Sequence, residues 1–302
     1  MKALKLLRAK FGRAGSTSRL ARTPRLIALI VGLTVSASIP LHAGPLLDRI
    51  KASEPIRIGF ATARPACFEG PDGKLTGFSA DTLIGTLKTM GYENVEAVGI
   101  ADFGSLVPGL VAGRFDIATC GLYILAERCR NVAFSDPFAE VSDVFVVPAG
   151  NPKGIETWET VVKDNVKLVY VQGTNSLKLS QEAGVDPANL MAVPSSTEMI
   201  GAILSGRVDA GHLFGWDAAE IAKNNPGKLE YTDPRKATPE DKRNWSSTAF
   251  SKADADFVAL YNEAQAKFLH SPEMAALLAK YGFDETSIPA DSIKADWVCS
   301  NR

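Results

Sequence analysis

The sequence predicts an α/β fold made of two lobes, with mostly parallel sheets and two interlobe crossings of the chain. Three observations favour this fold. Short β-rich runs alternate with helical patterns from Ile56 onward, a turn-rich stretch at 148–154 interrupts the series, and a second series of the same kind follows. Alternating strands and helices are typical of α/β domains, in which the helices cover the faces of a sheet.

The elements of the first series are predicted from their apolar spacing. Residues 79–90 place Leu83, Ile84 and Leu87 at helical intervals, and Gly91 then ends the pattern as glycine commonly ends helices. A shorter helix is predicted over 104–112. Strands are predicted over 56–60, 94–100, 115–119 and 144–147.

The second series is predicted to lie between the two crossings. It has strands over 167–171, 208–213 and 228–232, and a helix over 195–204 that Ser195 and Glu198 would open as a capping box. The polar stretch 233–244 predicts the return crossing, before a strand at 246–250 and helices at 254–269 and 272–280. The first lobe would therefore comprise residues 44–147 and 236–302, and the second lobe residues 148–235.

The first 43 residues predict export. Residues 1–25 carry eight Lys or Arg and no acid, and residues 26–39 are mostly apolar. This apolar run of about 14 residues is shorter than the roughly 20 that a membrane-spanning helix needs, and Ala43 is a small residue of the kind that signal peptidase accepts. We expect a cleaved signal peptide at 1–43, with an uncleaved membrane anchor as the alternative.

Removal of this segment makes the protein acidic. Its eight basic residues, taken from the 33 in the chain, leave 25 against 34 acidic residues, a formal charge of −9. No later segment approaches 18 consecutive apolar residues, and no basic patch is interleaved with aromatic residues. These features argue against a second membrane span and against nucleic-acid binding.

The cysteines would enter an oxidising compartment, in which disulfides persist. They are Cys67, Cys120, Cys129 and Cys299, and their spacing leaves all three full pairings open. There is no C-x-x-C, and His212 and His270 stand apart from the cysteines. We therefore expect structural thiols or disulfides, no metal site and no cofactor.

The most specific motif lies at 118–137, at the end of a predicted strand. It reads A-T-C-G-L-Y-I-L-A-E-R-C-R-N-V-A-F-S-D-P and resembles the signature of the bacterial extracellular solute-binding proteins of family 3. The resemblance extends from about Ile56 to the last helices and includes the motifs at 77–81, 113–116, 172–174 and 206–210. It implies the type II periplasmic-binding-protein fold, whose two lobes close around a small solute.

In that family the Arg of the E-R pair binds the ligand carboxylate, so the resemblance assigns this role to Arg128. The chemistry fits independently, because a guanidinium can donate two charge-assisted hydrogen bonds to one carboxylate; a solvated surface charge is the alternative. Gly121 is expected to offer backbone groups to the ligand. Across the cleft, Thr174 is the matching family position for anion binding near a helix N-terminus, and an ordinary helix cap is its alternative role.

Two departures from the family pattern concern the other end of the ligand. Amino-acid-binding members usually hold the ligand ammonium with an Asp at the position of Phe214, so a primary amine lacks its usual partner here. The family's Thr after the motif glycine is Tyr123. Together with Phe68, Phe103 and either Phe214 or Trp216, Tyr123 is expected to form an aromatic box for a delocalised or alkylated cation. Core packing is the alternative for these rings.

This aromatic set resembles the branch that binds ectoine and hydroxyectoine, and the wording of residues 103–116 is close to that branch. Members of the branch carry an acidic residue in the first binding loop, whereas the corresponding place within 61–68 holds Arg64. A ligand with a second carboxylate would suit Arg64 better, unless this side chain points to solvent.

The resemblance implies a periplasmic receptor rather than an enzyme, serving an ABC importer for a small zwitterionic or carboxylate-bearing solute such as an amino acid or an ectoine-like compound. The expected partners are this solute and an ABC permease in the inner membrane, with no nucleic acid, and the protein is expected to be a monomer. One alternative on the same fold is a periplasmic cyclohexadienyl (arogenate or prephenate) dehydratase, in which Arg128 would hold a substrate carboxylate and Glu69 or Glu198 would act as an acid. The sensor domain of a receptor kinase is a second alternative.

Overall fold

A computed structural model of the chain describes residues 45–238 and 243–301. The predicted signal peptide, residues 1–43, lies outside these residues, as does part of the predicted return crossing. Within the described ranges, no helix is long and apolar enough to cross a membrane.

The described chain alternates strands and helices along most of its length. The strands are β1 (Ile56–Ala61), β2 (Phe68–Glu69), β3 (Leu75–Thr76), β4 (Val95–Ile100), β5 (Ile117–Tyr123), β6 (Ala133–Phe134), β7 (Ala139–Val141), β8 (Asp143–Pro148), β9 (Leu168–Val171), β10 (Leu190–Val193), β11 (Ala210–Phe214), β12 (Leu229–Tyr231) and β13 (Asn244–Phe250). The α-helices are α1 (Pro45–Lys51), α2 (Phe78–Thr89), α3 (Leu106–Val111), α4 (Ala126–Cys129), α5 (Trp158–Lys163), α6 (Ser176–Ala183), α7 (Ser196–Leu204), α8 (Gly215–Asn224), α9 (Pro234–Ala237), α10 (Ala255–Leu269), α11 (Pro272–Tyr281) and α12 (Ala295–Asn301).

The first sheet has the strand order β4-β1-β5-β13-β6, and β7 also pairs with β13. Strand β1 runs parallel to both β4 and β5, whereas β13 runs antiparallel to its neighbours. Every residue of β5 is buried, as expected of a central strand covered on both faces. Helices α10 and α11 pack against α2, so the last helices of the chain return to this lobe.

The second sheet has the order β10-β9-β11-β8-β12. Strand β9 is parallel to β10 and β11, and β8 is antiparallel to β11 and β12. The strand predicted over 144–147 is therefore present, but the prediction that it belongs to the first lobe is wrong. The run Val144–Val147 is buried on both faces and would suit the interior of either sheet, so only its pairing partners decide where it belongs.

The sheets are less parallel than the sequence predicts. Each has a parallel set of three strands, extended by antiparallel strands around β13 in the first sheet and β8 in the second. These two strands begin directly after the segments where the chain passes from one sheet to the other, and they therefore enter in the reverse direction. We propose that the first crossing lies at Ser142 and the second between β12 and β13.

Two disulfides join segments distant in the sequence. Cys67 after β1 pairs with Cys120 of β5, and Cys129 of α4 pairs with Cys299 of α12. The second pair closes a separation of 170 residues and fixes the C-terminal helix beside α4. The structure thus selects one of the three pairings that spacing left open.

Candidate functional site: a cleft between the two sheets

A cavity of about 390 Å³ lies between loops of the two sheets. The first sheet contributes Arg64 after β1 and Phe103 after β4, and the second contributes Thr174 after β9 and, at the junction of β11 and α8, Phe214 and Asp217. These residues follow the carboxyl ends of strands, which is where ligands bind in open α/β sheets. Four of the eight predicted site residues line the cavity: Arg64, Phe103, Thr174 and Phe214.

Arg128 joins the two lobes. It lies in α4 and is only 8% exposed. Its Nη1 donates a 2.9 Å hydrogen bond to the carbonyl oxygen of Tyr123 at the end of β5, and its Nη2 donates a 2.6 Å bond to the carbonyl oxygen of Gly173 after β9. Burial lowers the pKa of Arg128 to about 10, so the guanidinium remains charged at neutral pH. The structure therefore brings this residue to the boundary between the lobes, where two carbonyl groups accept its hydrogen bonds.

The backbone around Arg128 is held in place on two sides. Cys129, its neighbour in α4, is tied to α12 by the Cys129–Cys299 disulfide. In β5, Cys120 and Gly121 have φ angles of 108° and 69°, and the pairing of β5 with β13 shifts register at this point. A β-bulge of this kind bends a strand, and it lies two residues before Tyr123, the last residue of β5.

Gly121 itself does not line the described cavity. Its α-carbon faces Ala66 and Ser246 of the first lobe, each within 3.8 Å of a Cβ built at this position. The positive φ explains why glycine occupies the bulge. Thr174 does line the cavity; its Oγ1 donates to the carbonyl oxygen of Val171 at 2.8 Å and accepts a 3.4 Å bond from the backbone N–H of Ser176. Asn175, and not Thr174, is the N-cap residue of α6, and the anion-binding role of Thr174 stays a prediction.

Phe214 contacts two of the other predicted aromatic residues, Tyr123 and Phe103, beside Arg128. The ring of Phe214 lies 4.6 Å from Tyr123 and 5.9 Å from Phe103, and the Arg128 Cζ lies 5.8 Å from the Phe103 ring centroid. Trp216 is not part of this cluster, because it packs against Phe78 and Phe283.

The remaining predicted residues, Arg64 and Phe68, form a pair at the rim. The Arg64 Cζ lies 3.7 Å above the Phe68 ring centroid, and the Arg64 side chain is exposed while still lining the cavity. Phe68 belongs to the small β2–β3 sheet and does not line the cavity. Arg64 thus faces both solvent and cleft, and Phe68 supports Arg64 rather than joining the aromatic cluster.

Asp143, which the sequence analysis did not single out, links both crossings to the cleft. Its Oδ1 accepts a 2.7 Å bond from the Tyr123 hydroxyl, and its Oδ2 accepts bonds from Asn175 Nδ2 at 3.1 Å and Asn244 Nδ2 at 3.0 Å. Thr238 also bonds to the Asp143 backbone. Burial raises the pKa of Asp143 to about 6, although the bonds from Tyr123 and Asn175 lower it. Asp143 directly precedes an apolar run, and this position was the only indication of its role in the sequence.

Asp217 is the second acid that sequence reasoning missed. It is 2% exposed, lies in the first turn of α8 and lines the cavity. Burial, followed by the charge of Asp143, raises the pKa of Asp217 well above its usual value. A signal existed, because Asp217, Ala218 and Ile221 share the buried face of the helix at helical spacing.

Two glycines form a close backbone contact between the two lobes. A Cβ built at Gly173 would lie 2.3 Å from the Cα of Gly104 and 2.8 Å from its backbone nitrogen. Real Cβ atoms essentially never come this close to another atom, and Gly173 also has a φ of 80°. Glycine is therefore required at Gly173 for the loops after β4 and β9 to touch as they do here.

Comparison with protein-family models decides the family. The model of the bacterial extracellular solute-binding proteins, family 3, matches residues 56–285. The chain belongs to this family. Family 3 proteins are extracellular and bind small-molecule solutes, which agrees with a cleft lined from two lobes.

Curated relatives of this family 3 protein include a binding protein and, at greater distance, an enzyme. It is 31% identical over 294 residues, 95% of this chain and 97% of the relative, to a probable amino-acid ABC transporter periplasmic-binding protein of Sinorhizobium fredii. A more distant match, 24% identical over 61% of this chain and 68% of the relative, is a cyclohexadienyl dehydratase of Pseudomonas aeruginosa.

Solved structures share the two-lobed fold of this family 3 protein. The crystal structure of EhuB in complex with hydroxyectoine is 28% identical, with a TM-score of 0.75, and the match covers 85% of this chain and 98% of that chain. An ancestral amino acid-binding protein, described as a precursor of cyclohexadienyl dehydratase, is 26% identical with a TM-score of 0.67 over 78% of this chain and 99% of that chain. The predicted type II periplasmic-binding-protein fold is confirmed.

Proposed function

We propose that the protein is the substrate-binding component of an ABC importer for a small zwitterionic or carboxylate-bearing solute, such as an amino acid or an ectoine-like compound. One observation carries the proposal: the buried Arg128 donates hydrogen bonds to carbonyl groups of both lobes, next to a cavity lined from both lobes. Membership of family 3 and the similarity to an amino-acid ABC transporter binding protein support it.

In the proposed mechanism, Arg128 exchanges one carbonyl partner for the solute. A carboxylate would take the place of the Gly173 carbonyl at Nη2 and would accept a charge-assisted bond, which is shorter and stronger than the bond from a neutral group. Because Arg128 is desolvated, its charge gains more from an anionic partner than a surface arginine would. The solute then stabilises the closed arrangement by binding it better than the open one.

We propose that the protein acts in the periplasm, as a monomer, after removal of residues 1–43. Its second partner would be an ABC permease in the inner membrane. The two disulfides are consistent with an oxidising compartment outside the cytoplasm. The proposal does not assign a nucleic-acid partner or a cofactor.

A dehydratase activity is the second candidate, because a cyclohexadienyl dehydratase is among the relatives. Two local observations weigh against it. Glu69 and Glu198, the acids expected to serve such a reaction, are exposed and do not line the cavity. The pair formed by His212 Nδ1 and Ser176 Oγ, 2.8 Å apart, is buried beside Phe145, and burial lowers the pKa of His212 to about 3. Measurable turnover of prephenate by the purified protein would favour this candidate over a receptor.

A thermal-shift screen tests the proposed function. The mature chain is heated with amino acids, ectoines, betaines, opines and dicarboxylates, and a true ligand present at a hundredfold excess over its Kd should add about 2.7 kcal/mol to the free energy of unfolding. Arg128→Lys keeps the charge but loses the planar fork, so it should remove most of this gain. Arg130→Lys, at an exposed neighbouring position, is the matched control and should leave the gain intact. An undiminished gain in Arg128→Lys would refute the assignment of Arg128.

A further inference from the structure

Asp217 is a buried acid without a hydrogen-bond partner for its Oδ1. Buried polar atoms in folded proteins are nearly always hydrogen-bonded, and an exception needs a physical explanation. Asp217 has no role in capping α8 through its side chain, since Phe214 is the N-cap residue and no side-chain cap bond is formed there. It does line the cavity between the lobes.

The other acids that line the cavity already have partners. Asp102 accepts bonds from the backbone N–H and the hydroxyl of Ser105, and Glu220 accepts a 2.9 Å bond from Asn224. Asp217 differs from both because it is almost fully buried and its Oδ1 is unpaired. Its charged and titratable neighbours are Asp143 and Tyr123, and neither supplies a positive charge.

The side chains that line the cavity also include more acidic than basic groups. Its lining contains three carboxyl groups, Asp102, Asp217 and Glu220, and one cationic side chain, the exposed Arg64. The guanidinium of Arg128 is held by carbonyl groups at the lobe boundary. A solute that brought only a carboxylate would leave the Asp217 Oδ1 buried without a hydrogen-bond partner, which is costly for a polar atom.

The aromatic rings on the same cavity favour a positive group as well. Phe214, immediately before α8, and Phe103, across the cleft, both line the cavity and lie 5.9 Å apart in an edge-to-face arrangement. The face of an aromatic ring attracts cations, most strongly where water is excluded. A cationic nitrogen in this cavity could therefore meet a carboxylate and ring surface together.

We infer that Asp217 is the binding partner of a cationic nitrogen on the solute, an ammonium, amidinium, guanidinium or alkylated ammonium group, so that the solute is a zwitterion. The inference rests on the proposed function, in which Arg128 binds the carboxylate. It also resolves the departure noted in the sequence: with Phe214 at the position where family members usually carry an acid, the acid is supplied three residues later, from inside α8.

Isothermal titration calorimetry tests this inference with defined probes. Hydroxyectoine, L-arginine and glycine betaine serve as zwitterions, and glutarate serves as a probe with two carboxylates and no cation. We expect a zwitterion to bind, Asp217→Asn to weaken that binding at least tenfold, and Asp217→Glu to retain more of it. Asp164→Asn, at an exposed acid at the end of α5 that does not line the cavity, is the matched control and should change the affinity less than twofold.

The stability of the variant separates a binding role from a structural one. Asp217→Asn removes an unpaired buried acid without changing its shape, so its melting temperature without solute should equal or exceed that of the wild type. A structural role would instead lower the melting temperature.

Each other outcome is decisive. If Arg128→Lys weakens the binding of a zwitterion and Asp217→Asn does not, the inference is wrong while the proposed function stands. Tighter binding of glutarate than of all three zwitterions would also refute the inference alone. If none of the four probes binds, the proposed function fails for this class of solutes and the inference fails with it.

Discussion

Replacement of Gly173 by alanine should prevent the two lobes from closing fully. The added Cβ would lie 2.3 Å from the Cα of Gly104, and this is a backbone atom that cannot rotate away. The loops would have to separate by about 1 Å or more to restore an ordinary van der Waals distance. That movement would break or lengthen the 2.6 Å bond from Arg128 Nη2 to the Gly173 carbonyl.

Two effects of this substitution differ in size and in the assay that detects them. Alanine at a φ of 80° costs roughly 1–2 kcal/mol in the folded protein, and this cost is expected in open and closed forms alike. The steric clash exists only where the lobes meet. Loops held apart would deny the bound solute one charge-assisted hydrogen bond across the cleft, about 1.5–3 kcal/mol, which corresponds to an affinity for the solute reduced by about tenfold to a hundredfold.

Calorimetry and small-angle X-ray scattering measure these effects, with Gly104→Ala as the matched control. A Cβ at Gly104 would lie 3.5 Å from the Cα of Gly173 and 3.3 Å from Asp102 Oδ1, so this variant should bind the solute within a few-fold of the wild type. The wild type and the control should contract when the solute binds, whereas Gly173→Ala should contract less. If Gly173→Ala binds and contracts like the wild type, the Gly104–Gly173 contact is not part of closure.

Three further predictions concern the surroundings of the cleft. The pKa of Asp143 is about 6 in the fold against 3.8 in a free chain, so the protonated carboxyl stabilises the fold, and this contribution of about 3 kcal/mol is lost as the pH rises from 4 to 6. Urea unfolding should therefore show a lower free energy of unfolding at pH 7 than at pH 4 in the wild type, and Asp143→Asn should lack this loss. Equal losses in the two proteins would contradict the raised pKa of Asp143. Tyr123→Phe should lower the free energy of unfolding by about 1–3 kcal/mol, because the Asp143 carboxylate loses its 2.7 Å partner, and an unchanged denaturation midpoint would contradict this bond. Replacing Cys129 and Cys299 together by Ser should cost about 2–5 kcal/mol of stability and weaken solute binding, because Arg128 lies next to the lost disulfide; unchanged calorimetric affinity would show that α4 holds Arg128 without it.

Local signals in the sequence were sufficient for most of the elements. The strand predicted over 167–171 is confirmed at Leu168–Val171, and the helix over 272–280 is confirmed at Pro272–Tyr281. Apolar spacing and terminating glycines are properties of short segments, and they therefore survive without knowledge of the fold. The family motif likewise led to Arg128, which the structure places at the boundary between the lobes.

The remaining features depend on contacts between distant segments. The sheet to which β8 belongs is set by its pairing with β11 and β12, more than 60 and 80 residues away along the chain. The disulfide pairing and the contact of Gly104 with Gly173 are tertiary in the same way. Asp217 lies in α8, a helix that begins directly after Phe214 and that was not predicted from the sequence.

A crystal structure of the protein with a bound solute identified by the screen would test the central claim most directly. The account predicts a carboxylate oxygen of the solute within about 3.2 Å of a terminal nitrogen of Arg128, with the solute in the cavity lined by Phe103, Phe214 and Asp217. A structure in which Arg128 keeps its bonds to Tyr123 and Gly173 while the solute lies elsewhere would contradict it.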